Sequence, residues 1–178
     1  MAYLYFDVET VPAFDSRDEY LRLKKMIDEG KLTRETNKAL YYKVMSGARN
    51  PQEGKVISIA YALNDEKPKI LREWELTEPS VLQSFYDVAD RSTRESLRLE
   101  KPITYVGFNI LNFDIPFLFC RMQHNKIQTS LGTHDARWLF RRLFQFSLDL
   151  LQIHLPLNKF KSKGLDHNAL CHAYGLPA

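Results

Sequence analysis

Cysteine is scarce in this chain of 178 residues: Cys120 and Cys171 are the two, and they form no Cys-x-x-Cys pair. A secreted disulfide scaffold therefore has no framework, and a reducing cytoplasm is the expected compartment. The N-terminus lacks a basic segment leading into an apolar run, so no signal peptide is expected. No apolar stretch approaches the roughly 20 residues that cross a bilayer, and no membrane partner is expected. Gly-x-Ser-x-Gly and Gly-x₄-Gly-Lys-Ser/Thr are both missing, which leaves serine hydrolase and P-loop chemistry without support. His124, His134, His154, His167 and His172 include no His-x₃-His with an adjacent glutamate. Neither cysteine stands at ligand spacing from them, so zinc is disfavoured. Internal repeats and low-complexity segments are absent as well.

What remains is ordinary for a globular protein: 44% hydrophobic and 26% charged residues. The length suits one domain with a real core, spanning residues 1–178. A net charge of +3 and a pI near 8.8 are compatible with a polyanionic partner without requiring one.

The first strand signal is the apolar stretch from Tyr3, which carries Asp7 and Glu9. Strand alternation points Tyr5, Asp7 and Glu9 to one face and Leu4, Phe6 and Val8 to the other. Two neighbouring carboxylates repel, and a divalent cation between them would remove the repulsion. The plainer alternative is a strand running into a solvated acidic turn.

Residues 17–54 read as a helical insertion. An irregular amphipathic helix is expected from Asp18 to Glu29, and a second, capped by Thr33, to about Met45. A loop through Asn50 and Pro51 follows. The insertion is either a structural hairpin over a sheet edge or a flap over a substrate groove. Val56 to Leu63 predicts a buried strand, paired as a hairpin with a strand over Lys69–Glu75. Thr77, Glu78 and Pro79 open a helix whose Val81, Leu82, Phe85, Val88 and Ala89 form a core stripe. Arg91 to Lys101 is expected as a solvated helix end and loop. Ile103–Gly107 predicts a strand, Asp114–Gln123 a helix, Asp135–Leu143 another, Phe146–Asp149 a short strand, and Leu165–Tyr174 a last helix. This order predicts an α/β fold: a mixed five-stranded sheet flanked by helices.

Asp114 stands just past the C-terminal end of a later strand, at a helix start whose dipole favours the ionised carboxylate. Were that strand a parallel neighbour of the first, Asp7, Glu9 and Asp114 would gather at one sheet edge, where open α/β sheets place ligands. Ionised oxygens are what Mg²⁺ or Mn²⁺ needs.

These stretches resemble a known family. YFDVETVP at residues 5–12 is similar to the first motif of the DEDD 3′–5′ exonucleases, Asp-x-Glu-Thr. VGFNILNFDIPFL at residues 106–118 is similar to the second, Asn-x₃-Phe/Tyr-Asp. The proline and apolar residues after Asp114 resemble most the exonuclease domains of family B DNA polymerases and their stand-alone relatives. The similarity extends through GKVISIAYAL at residues 54–63 and the segments from Ser147 to Pro177. The resemblance implies a ribonuclease H-like fold and two metal ions, Mg²⁺ or Mn²⁺, held by the catalytic acids Asp7, Glu9 and Asp114. It implies that Thr10, Asn109 and Phe113 approach the nucleic acid, single-stranded DNA or a DNA 3′ end, with RNA also compatible. Phe113 is either a base-stacking residue or a core residue at a helix start. Asp149 is expected as a structural acid or one lying behind the metal ligands, with a ligand role as the lesser alternative.

The family's fourth carboxylate, in Tyr-x₃-Asp or His-x₄-Asp, is expected after Pro177, and the sequence given runs to Ala178. Tyr86 and Asp90 fit the spacing but precede the second motif. The expected function is thus a metal-dependent 3′–5′ exonuclease. The alternatives are a weakened nucleic-acid-binding module and a structural subunit of a replication or repair assembly. Arg137, Arg141 and Arg142, with Lys159, Lys161 and Lys163, are either a solvated face or a surface tracking the nucleic-acid backbone.

Overall fold

The computed structural model describes residues 2–127, 136–156, 159 and 166–173. Its elements in order are β1 (Ala2–Pro12), α1 (Arg17–Asp28), α2 (Lys38–Ser46), β2 (Gly54–Leu63), β3 (Lys69–Arg72), α3 (Glu78–Arg98) and β4 (Ile103–Gly107). These are followed by α4 (Asp114–His124), α5 (Ala136–Gln145), β5 (Ser147–Asp149), α6 (Leu150–His154) and α7 (His167–Ala173). The strands form a five-stranded mixed sheet in the order β3-β2-β1-β4-β5. β1 pairs antiparallel with β2 and parallel with β4; β2–β3 is an antiparallel hairpin and β4–β5 a parallel pair.

The two faces of β1 differ as its alternation requires. Leu4, Phe6 and Val8 are buried, whereas Tyr5, Asp7 and Glu9 are exposed. The buried face joins Val56, Ile59 and Tyr105 in a core with Val81, Leu82 and Phe85 of α3 and Ile115, Phe117 and Leu118 of α4. Fully burying one such side chain contributes about 1.5–3 kcal/mol, so this layer fixes which way β1 faces.

α4, which begins with Asp114, is tied to the rest of the sheet layer by a buried ion pair. Arg121 donates from Nε to Glu78 Oε1 at 2.8 Å and from Nη2 to Oε2 at 2.6 Å. Glu78 Oε1 also accepts from the Val56 amide at 2.8 Å, and Arg121 Nη1 donates to the Pro51 carbonyl at 3.1 Å. One pair thereby joins α3, α4, β2 and the end of the insertion.

The insertion has its own small core of Leu23, Leu32 and Val44, against which Phe14, Tyr20, Met26, Ile27 and Leu40 pack. Its second helix starts later than the sequence suggests. Thr33 is occupied in a turn with Thr36, each hydroxyl accepting the other's amide, and Asn37 caps α2 instead. The loop after α2 opens with a 3₁₀ turn over Gly47–Arg49. β3 stops at Arg72 rather than at Glu75, as the chain turns toward the α3 cap. α3 runs on to Arg98, past the expected solvated end, because Thr93 and Ser96 keep a buried face turned inward and Asp90 pairs with Arg94 one turn on, at 2.8 Å. Short α6 has no counterpart in the sequence reading. Residues 128–135, Leu165, Tyr174, Lys161 and Lys163 lie outside the described residues.

Candidate functional site

The site begins where a ladder ends. β1 and β4 pair from Ala2 with Ile103 to Tyr5 with Val106. Past Val106 the chain leaves through Gly107 and the turn at residues 108–113, while β1 continues to Asp7 and Glu9. Gly107 permits the exit: a Cβ there would lie 2.3 Å from Ile110 Cγ2 and 2.7 Å from the Phe6 carbonyl oxygen.

The turn brings Asp114 back against β1. The Val8 amide, beyond the reach of the β4 ladder, donates to Asp114 Oδ1 at 2.9 Å. Asp114 is buried, at 2% exposure, and its carboxyl is raised from the ordinary 3.8 to about 7. Burial is the main cause and the Asp7 charge the next; the Val8 amide pulls the other way and Asp149 adds a smaller upward push. Glu9 is also raised, first by partial loss of solvent and then by Asp7. Asp7 thus acts electrostatically on both other acids. Among the described residues no group of three or more His, Cys, Asp or Glu side chains closes into an ion cage. What the structure does bring together is charge: the Asp7 carboxylate raises both Glu9 and the buried Asp114.

The other expected site residues divide. Asn109 adopts a left-handed backbone, φ +61°, and its side-chain oxygen accepts from Asn112 Nδ2 at 3.2 Å. Its amide donates to Asp149 Oδ1 at 2.8 Å. Phe113 is half-buried, with its ring 5.4 Å from that of Phe117 and packed against the main core. Thr10 turns its hydroxyl to the Ala48 carbonyl, 2.6 Å away, and so straps the insertion to β1 one residue past Glu9. Tyr86 and Asp90, the pair with the family's spacing, are each 1% exposed within α3. Of the basic residues, Arg142 lies over the rings of Trp138 and Phe146, at 5.8 and 5.3 Å, as a packing group.

Two concavities flank Asp7 and Glu9 on the exposed sheet face; Asp114 lines neither. A groove of about 570 Å³ has Asp7 and Glu9 along one wall, small residues Ala60, Ala62 and Gly107 among its lining, and Tyr5 and Phe108 beside them. A recess of about 450 Å³ lies beyond Glu9, between β1, β2 and the insertion, with Val11, Phe14, Arg17, Tyr20 and Lys55 in its lining. A β-bulge between Glu9 and Thr10 sits at the junction. The sequence offered a groove beside the insertion only as the flap alternative, and the lining of neither concavity was read from it. Ala60 and Ala62, two positions apart on β2, were the available signal for the first; the second depends on α1 folding back.

Comparison of the chain with protein-family models, curated proteins and solved structures returns no match.

Proposed function

We propose that this chain is a metal-dependent 3′–5′ exonuclease of ribonuclease H-like fold, acting on single-stranded or frayed DNA ends. One observation carries the reading: the bond from the Val8 amide to Asp114, which joins the two motif stretches across 106 positions. The strand order, with β1 parallel to β4 and antiparallel to β2, is compatible with that fold.

In this reading Asp7, Glu9 and Asp114 hold Mg²⁺ or Mn²⁺, which when bound supplies an activated water and charge to offset that on the leaving oxygen. The chain's part is positional. β1 sets Asp7 and Glu9 two strand positions apart, roughly 6.6 Å along its axis. The Val8 amide holds the buried Asp114 carboxylate in one orientation. The terminal nucleotides lie along Asp7 and Glu9 between groove and recess, where the exposed ring of Tyr5 borders the path of an unpaired strand.

The absence of a closed three-ligand cage among the described residues favours a second reading, a nucleic-acid-binding module without cleavage. A 5′-labelled single strand incubated with Mn²⁺ separates the two. The nuclease reading expects a ladder shortening from the 3′ end, lost in Asp7→Ala and Asp114→Asn. Salt-sensitive binding with no shortening of DNA or RNA by the wild-type protein decides for the binding module.

A further inference from the structure

We propose that Asp149 is the positioning residue of this site: it clamps the turn between β4 and α4 to the end of β5 and thereby sets where Asp114 stands against β1. The proposal rests on the nuclease reading for its functional consequence and on geometry for the clamp itself. Asp149 is 3% exposed and accepts three backbone amides. Oδ1 takes Asn109 at 2.8 Å and Leu151 at 3.0 Å; Oδ2 takes Leu111 at 3.0 Å. Capping α6 through Leu151 needs one oxygen. The turn uses both, and a carboxylate presents both as acceptors where an amide presents one.

The clamped turn is the one that delivers Asp114. Asn109 sits in the left-handed region, a conformation that asparagine tolerates but that gains from outside support. From it the bonds run on toward the acid: the Asn109 carbonyl accepts the amides of Asn112 at 3.2 Å and Phe113 at 3.1 Å, and the Ile110 carbonyl accepts that of Ile115 at 2.9 Å. Asp149 also pairs with Gly107 across the β4–β5 ladder, so it borders both ends of the strand exit. Among the described residues no lysine or arginine forms an ion pair with it. A carboxylate buried on amides alone, at the turn preceding a metal-ligand candidate, matches the outer groups that orient first ligands in metal sites.

The test compares wild type, Asp149→Ala and Asp149→Asn by amide hydrogen exchange, Mn²⁺ calorimetry and steady-state digestion. Asp149→Ala is expected to speed exchange at Asn109 and Leu111, weaken Mn²⁺ binding about 10- to 100-fold, and lower kcat with KM little changed. Asp149→Asn, keeping one carbonyl oxygen, is expected to recover part of each loss. Unaltered Mn²⁺ affinity and kcat in the folded fraction of both variants would overturn the proposal, because a mere helix cap changes only thermal stability. If Asp149→Ala does not fold, Asp149→Asn decides by the same criteria. A wild-type protein that binds no Mn²⁺ counts against the nuclease reading. In that case exchange at Asn109 and Leu111 still decides the clamp, and rates unchanged from wild type reject it.

Discussion

Asp114 is a buried carboxyl with the Asp7 charge acting on it. Its folded value of about 7 lies above the ordinary 3.8, so its protonated form fits the metal-free fold better than its anion. That contribution to stability is complete below about pH 4 and is lost as pH rises through about 7. Asp114→Asn keeps a carbonyl oxygen for the Val8 amide and carries no charge. Without metal, it is expected to melt higher than wild type at pH 8, by on the order of 2–4 kcal/mol, and to lose the advantage by pH 4. Thermal melts across that range check both ends. Asp7, Glu9 and Asp114 were legible as residue types at strand and helix ends. The burial of Asp114 was not, because it depends on the β4 ladder stopping at Val106 and leaving the Val8 amide for the carboxylate.

At the scale of elements, two devices place α4. The first is the close exit at Gly107. Gly107→Ala puts a methyl group against Ile110 and the Phe6 carbonyl and is expected to cost about 1–3 kcal/mol, seen as a fall in Tm of several degrees. The second is the Glu78–Arg121 pair, with side chains 10% and 6% exposed. Arg121→Ala leaves a buried carboxylate without its cation and is expected to cost about 3–5 kcal/mol in denaturant unfolding. Strong local signals were readable: the alternation in β1, the apolar run of β2, and the Thr77-Glu78-Pro79 start of α3. Harder to read were features decided by contacts distant in sequence. Thr33 looks like a helix cap but is satisfied by Thr36, and α3 outruns its charged sequence because Thr93 and Ser96 face the interior. Phe113 could not be divided between stacking and core by sequence alone; in the structure its ring packs on Phe117.

Over the whole molecule, the mixed sheet carries helices α3 and α4 on one face and presents Asp7 and Glu9 on the other, with Asp114 buried at the start of α4 and the strapped insertion at the far end of β1. No helix among the described residues is long and apolar enough to cross a membrane. The α/β class and strand count followed from element order, whereas the groove and recess beside Asp7 and Glu9 arise only when β2 and the insertion are in place. The central claim is that Asp7, Glu9 and Asp114 share a divalent cation, and Mn²⁺ calorimetry at pH 7 in buffers of different ionisation enthalpy tests it most directly. Because Asp114 titrates near 7, binding is expected to release about half a proton per protein from this group, an uptake abolished in Asp7→Ala and stripped of its proton release in Asp114→Asn. No Mn²⁺ uptake by the wild-type protein, or equal uptake by Asp7→Ala, would contradict it.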